Sequence, residues 1–147
     1  MTKAILFDLD GTLLSHHVET FLARYLRLVG QRFAESLPGV DVPRLVLASS
    51  QVMLRNDGSR TNEEAFWSDF APRFDRPRTE LEAMFTDFYR RDFPQLGADI
   101  APEPAVADAV AACREQRLRL AVATNPVFPR LAIDERLRWA GLDSALF

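Results

Sequence analysis

The stretch that decides the fold is "ILFDLDGTLL", residues 5–14. An apolar run leads into Asp8, and a second carboxylate, Asp10, follows before Gly11 and Thr12 turn the chain. Residues 4–8 read as a short buried strand, because the run is apolar on both faces, as in a parallel sheet. Side chains two apart on an extended strand share a face. Here the turn begins between the two aspartates, so both can converge on one point. Such a pair suits a hard divalent cation and phosphate chemistry. Mg2+ takes oxygen ligands, keeps several waters and needs only one or two protein carboxylates. It also reduces the repulsion between an anionic nucleophile and an anionic phosphate. One carboxylate can attack phosphorus and split a hard step into two. The other can protonate the leaving oxygen and later deprotonate water. Free backbone N–H groups in the Leu9–Thr12 turn can cradle phosphoryl oxygens. Two aspartates before a glycine are, alone, an ordinary solvated turn. The combination "FDLDGT" behind an apolar strand points instead to a site.

Outward from this segment the pattern turns helical. Phe21, Leu22, Tyr25, Leu26, Val29 and Phe33 recur at helical spacing. "LPGVD" ends that helix, and Asp41 is placed to cap the next, with Val42 and Pro43 in its first turn. "RNDGSR", 55–60, is a polar turn. Thr61 with Glu64, and Thr79 with Glu82, each have the spacing of a capping box. The helices they open carry Phe66, Trp67 and Phe70, then Leu81, Met84, Phe85, Phe88 and Tyr89. Four helices are thus predicted between about 16 and 97, with no strand among them. "PQLGADIAPEPA" is a linker, followed by a helix over 104–116 that tolerates Pro104 in its first turn. "LRLAVATN", 118–125, is a second strand ending in polar residues. A last helix spans 129–140, with Gly141 as its stop. A strand, a helix and a second strand imply a parallel pair. Open α/β sheets place their sites at the C-terminal strand ends.

Composition narrows the class. The 147 residues are 48% hydrophobic and 27% charged, ordinary values for a globular domain, and the net charge of −3 gives no footprint for nucleic acid or an acidic membrane. The one cysteine, Cys113, sits in a predicted helix and has no partner for an internal disulfide, which fits a reduced, cytoplasmic setting. The apolar start is broken by Asp8 and Asp10 and does not read as a signal peptide, and no stretch approaches a membrane span. Phe66, Trp67, Phe70, Phe85 and Phe88 are expected to form helix core rather than a ligand box. His16 and His17 follow the motif, which makes the site entrance one place for them, but a helix start or a solvated position is expected over that, and a metal role is not. Arg55 and Arg60 flank the polar turn and are expected to be solvated, although an anionic substrate is an alternative partner for them.

"FDLDGTLL" resembles the first signature of the haloacid dehalogenase-like hydrolase superfamily. The resemblance implies that Asp8 is the nucleophile and Asp10 the general acid/base. It also implies Mg2+, held by the Asp8 side chain and the Asp10 backbone carbonyl. An aspartate at the second position is similar to the phosphatases and phosphomutases of the superfamily rather than its dehalogenases. The second signature is a Thr or Ser at the end of the next core strand. "LAVATN" resembles it, nominating Thr124 to hydrogen-bond the phosphate, with Asn125 beside it, and Leu9, Gly11 and Thr12 contributing from the first turn. The helical region resembles the helical cap inserted by superfamily phosphatases of the C1 type. Such caps close over the site, exclude water and select the substrate.

The superfamily has two further signatures: a basic residue, usually Lys, on a later element, and an acidic cluster after a fourth strand. No Lys follows Lys3, and Asp134, Glu135 and Asp143 match no such motif. The implied fold is therefore α/β, an incomplete Rossmann-like parallel core of two strands over 1–15 and 98–147, with the cap over 16–97, truncated after the second signature. The implied function is a phosphatase acting on a small phosphorylated metabolite through an aspartyl-phosphate, weak or inactive as this chain alone. Two alternatives stand beside it: a phosphomutase, and a non-catalytic remnant or interaction module whose exposed core edge invites self-association or a partner chain. A phosphoacceptor receiver also uses a strand-end aspartate, but has no reason to insert four helices after its first strand. No nucleic-acid or membrane partner is expected.

Overall fold

The computed structural model describes residues 3–147. Two short strands, β1 (Ala4–Phe7) and β2 (Arg119–Val122), pair in parallel, with Ala4 opposite Arg119 and Phe7 opposite Val122. The chain is mixed α/β, with six α-helices among the described residues. Four of these lie between β1 and the linker: α1 (Val18–Phe33), α2 (Val42–Leu54), α3 (Asn62–Phe70) and α4 (Arg78–Arg91). α5 (Pro104–Glu115) precedes β2 and α6 (Arg130–Trp139) follows it.

Each helix has a local cause. α1 buries Phe21, Tyr25, Val29 and Phe33, a strict four-residue ladder. The Asp41 side chain accepts from the Arg44 N–H at 3.1 Å and caps α2. Thr61 and Glu64 form the full capping box at the start of α3, the Thr61 hydroxyl accepting from Glu64 N–H and the Glu64 carboxylate from Thr61 N–H. The second expected box does not form. α4 starts earlier, at Arg78 behind Pro77, so Thr79 already lies inside the first turn and Glu82 pairs with Arg78 Nε at 2.6 Å instead. Gly141 ends α6 with φ +76°, a left-handed conformation that costs glycine nothing.

Phe33, Phe70, Phe88 and Phe93 are fully buried, and each such side chain stabilises by roughly 1.5–3 kcal/mol through burial. One continuous core runs from Phe33 and Phe85 to Leu9, Leu120 and Trp139. Trp67, Phe70, Phe85 and Phe88 belong to it, as the helical spacing predicts, and partly buried Phe66 packs against it. The strands differ from expectation. Leu120 is buried and Ile5, Phe7 and Val122 pack against the core, but Leu6 on the opposite face of β1 is 67% exposed. Only one face of the pair carries a covering layer among the described residues, so β1 is not buried on both sides. No helix is long and apolar enough to cross a membrane among the described residues. Cys113 is free and half-buried on α5.

A candidate active site at the strand ends

Parallel pairing carries the two polar strand ends to one place. Asp8 follows Phe7 directly, and the Ala123 N–H donates to the Phe7 carbonyl at 2.7 Å, with Thr124 and Asn125 next in the chain. The turn after Asp8 is tightly tied. Gly11 N–H donates to Leu14 O at 2.9 Å, Leu14 N–H to Leu9 O at 2.9 Å, and Thr12 N–H to Leu9 O at 3.3 Å. Gly11 holds φ +75°, which explains a glycine between Asp10 and Thr12. The N–H groups of Gly11 and Thr12 are therefore engaged within the turn rather than free. Among the described residues, those of Leu9 and Asp10 have no hydrogen-bond acceptor, so any cradle of N–H groups narrows to these two.

Buried Leu9 anchors the turn, while Asp8 is exposed and Asp10 is 30% exposed. The Asp10 carboxylate is ion-paired with Arg136 Nη2 on α6. The Arg136 side chain is only 3% exposed, and its guanidinium lies over the rings of Phe21 and Phe128, 5.1 and 5.4 Å from their centroids. Burial pushes Arg136 down to about 10, and the Asp8 carboxylate acts to raise it, so it remains a cation at neutral pH. Its Nε is buried without a hydrogen-bond partner. Helix α6 holds this arginine through its neighbours. Glu135 accepts from Trp139 Nε1 at 3.0 Å and pairs with Arg138, and the Trp139 ring lies directly against Gly97.

His16 departs from the expected solvated position. Its ring is 6% exposed, edge-on to Phe21, with Nε2 3.4 Å from Asp10 Oδ1. Neither ring nitrogen has a hydrogen-bond partner, and burial lowers its pKa. Arg55 and Arg60 stay exposed, as expected, with Arg60 donating to Ser68 Oγ at 2.9 Å.

Sequence reasoning therefore missed Arg136. The signal was present: Ala132, Arg136, Trp139 and Ala140 fall on one helical face, and a charge on a buried face needs an anion. Oxygen donors for a hard cation are also present. The exposed Asp8 carboxylate makes no hydrogen bond or ion pair, and the Asp10 main-chain carbonyl receives no hydrogen bond, among the described residues. This pair fits an ion that keeps most of its waters. A cluster of three or more His, Cys, Asp or Glu ligands is absent among the described residues.

With this geometry in hand, a family model for haloacid dehalogenase-like hydrolases matches residues 2–143. The chain belongs to the haloacid dehalogenase-like hydrolase family. The match takes in both strands, all six helices and the Asp8–Asp10 turn of this family member. No curated protein and no solved structure matches the chain.

Proposed function

We propose that the chain is a Mg2+-dependent phosphate monoester hydrolase working through an aspartyl-phosphate on Asp8. The reading is carried by one observation: in a member of a hydrolase family, Asp8 and Asp10 follow one strand, Thr124 follows its parallel partner, and the buried cation Arg136 pairs with Asp10. Thr124 and Asn125 hold the phosphate with the N–H groups of Leu9 and Asp10. Asp8 and the Asp10 carbonyl would hold the metal, which when bound supplies positive charge beside the transferring phosphoryl group.

An Asp8 carboxylate oxygen attacks phosphorus while the bond from phosphorus to the alcohol oxygen breaks. Asp10, which takes up a proton from solvent once the phosphate draws Arg136 away from it, gives that oxygen its proton. Asp10 then takes a proton from water, the water oxygen bonds to phosphorus, and the acyl-phosphate bond breaks to restore Asp8 and release inorganic phosphate. Arg136 supplies the fixed positive charge that the family usually takes from a lysine. In the resting protein it pairs with Asp10; a bound phosphate gives it a second anion, freeing the Asp10 carboxyl for proton transfer. The helices over 16–97 act as the cap that keeps bulk water from the acyl-phosphate.

Steady-state hydrolysis of p-nitrophenyl phosphate tests this reading. We expect turnover that needs Mg2+, stops on chelation, and is abolished by Asp8→Asn. Turnover unchanged in Asp8→Asn would remove it.

A further inference from the structure

A cleft of about 1040 Å³ runs between the four helices after β1 and the loop that follows β2. Asn125, the neighbour of Thr124 beyond the end of β2, is among its lining residues. Its size suits an organic group much larger than a phosphate. Its walls are mainly apolar, with Ser50, Gln51, Asn56, Asn62 and Thr86 among the polar residues of the lining. Leu22 on α1, Leu47 and Leu54 on α2, and Leu131 on α6 line it, and all four are between 37% and 52% exposed. Exposed leucines on three helices facing one space are otherwise unexplained in this fold. Trp67 forms part of the wall. The charged lining groups are of both signs, Arg60 and Arg130 with Glu63 and Glu82, so the cleft offers no surplus charge for a second anionic group. The Asn62 amide donates to the Pro126 carbonyl at 3.2 Å and ties α3 to the loop at the cleft mouth.

Tyr25 and Tyr89 also line the cleft, their hydroxyls 2.9 Å apart. The pair shares one proton between its oxygens, which leaves one O–H to offer a ligand. A polyhydroxylated sugar would find partners only on the polar part of the lining and would bury its remaining hydroxyls against leucine and tryptophan at a cost.

We infer that the substrate is a phosphate monoester of a large, mainly apolar alcohol, whose hydrocarbon or aromatic body fills this cleft while its phosphate lies at Asp8 and Thr124. The assignment rests on the phosphatase reading and adds the class of leaving group. 1-Naphthol, which lacks the phosphate, reports the cleft by itself through calorimetry. We expect saturable naphthol binding that Asp8→Asn leaves unchanged. Leu47→Glu weakens it about tenfold or more, the scale of a lost contact in an apolar pocket. 1-Naphthyl phosphate is turned over with a kcat/KM well above that of glycerol phosphate or glucose 6-phosphate, and Leu47→Glu narrows the gap chiefly through KM. Leu54→Glu serves as the second variant should Leu47→Glu fail to fold. Absence of naphthol binding, or turnover of the polar esters equal to that of the naphthyl ester, overturns the inference while leaving the phosphatase reading intact. Naphthol binding without hydrolysis of any ester removes the phosphatase reading and the substrate assignment with it. A dimer that Leu47→Glu dissociates, in a protein that binds no naphthol, assigns the cleft to self-association and overturns the inference.

Discussion

Arg136 carries a positive charge into a wall formed by Phe21 and Phe128, and the Asp10 carboxylate is the partner that makes this burial tolerable. In the proposed reaction the same guanidinium faces the phosphate. Arg136→Met keeps the bulk and removes the charge. We expect kcat/KM for phosphate esters to fall about a hundredfold, the scale seen on removing one preorganised donor. Arg136→Lys should recover part of it, because the charge returns without the planar fork. A pair of kinetic constants for each variant, with circular dichroism to confirm the fold, checks this. Full activity in Arg136→Met would exclude the arginine from the site. That Asp8, Asp10 and Thr124 follow two paired strands was legible in the sequence because the pattern is local: an apolar run, a turn and fixed spacing. Arg136 was not, because 126 residues separate it from Asp10 and only the packing of α6 brings them together. The burial of His16 was missed for a different reason: its partners Asp10 and Phe21 are near in sequence, but nothing in the pattern says that the ring turns inward between them.

At the scale of elements, local chemistry predicted most starts and stops. Asp41 and the Thr61–Glu64 box open α2 and α3 as their spacing implies, and Gly141 closes α6. Thr79 failed as a cap because Pro77, which fixes its own φ, let α4 begin earlier. What no local rule conveys is how α6 is held. Gly97, in the 3-10 turn Phe93–Gly97, lies so close to the Trp139 ring that an added Cβ has no room. Gly97→Ala should therefore displace Trp139, destabilise the fold by about 1–3 kcal/mol as overpacking does, and lower activity by shifting Arg136. Urea denaturation beside the kinetic assay measures both effects. Unchanged stability would show that the ring can move freely.

The α1–α4 contact gives a pH-dependent prediction. Burial raises Tyr25 to about 12 and holds Tyr89 well above its ordinary value, with the two hydroxyls hydrogen-bonded. An unfolded tyrosine loses its proton near pH 10, whereas the folded pair keeps it. Above about pH 10 the native state thus binds more protons than the unfolded one, and stability falls as pH rises toward about 12. Denaturation midpoints across this range should show the loss, and the Tyr25→Phe, Tyr89→Phe double variant should flatten it. An equal slope in the double variant would assign the loss to other groups.

For the molecule as a whole, the class of fold was readable: two parallel strands, with four helices and then a fifth between them, and polar residues following each strand. The sequence did not convey that one core joins all the elements, from Phe33 to Trp139. Nor did it convey that Leu6 faces outward or that α1 to α4 line a mainly apolar cleft against the loop after β2 and the start of α6. These depend on which apolar faces meet, and periodicity marks a face without naming its partner. The central claim is that this architecture exists to place a phosphoryl group on Asp8. Borohydride reduction of the protein during turnover of p-nitrophenyl phosphate, followed by peptide mass mapping, tests it directly, because reduction marks an acyl-phosphate at the residue that carried it. The account predicts the mark on Asp8, none on Asp10, and none anywhere in Asp8→Asn. Turnover that leaves Asp8 unmarked, or a mark on another residue, would contradict it.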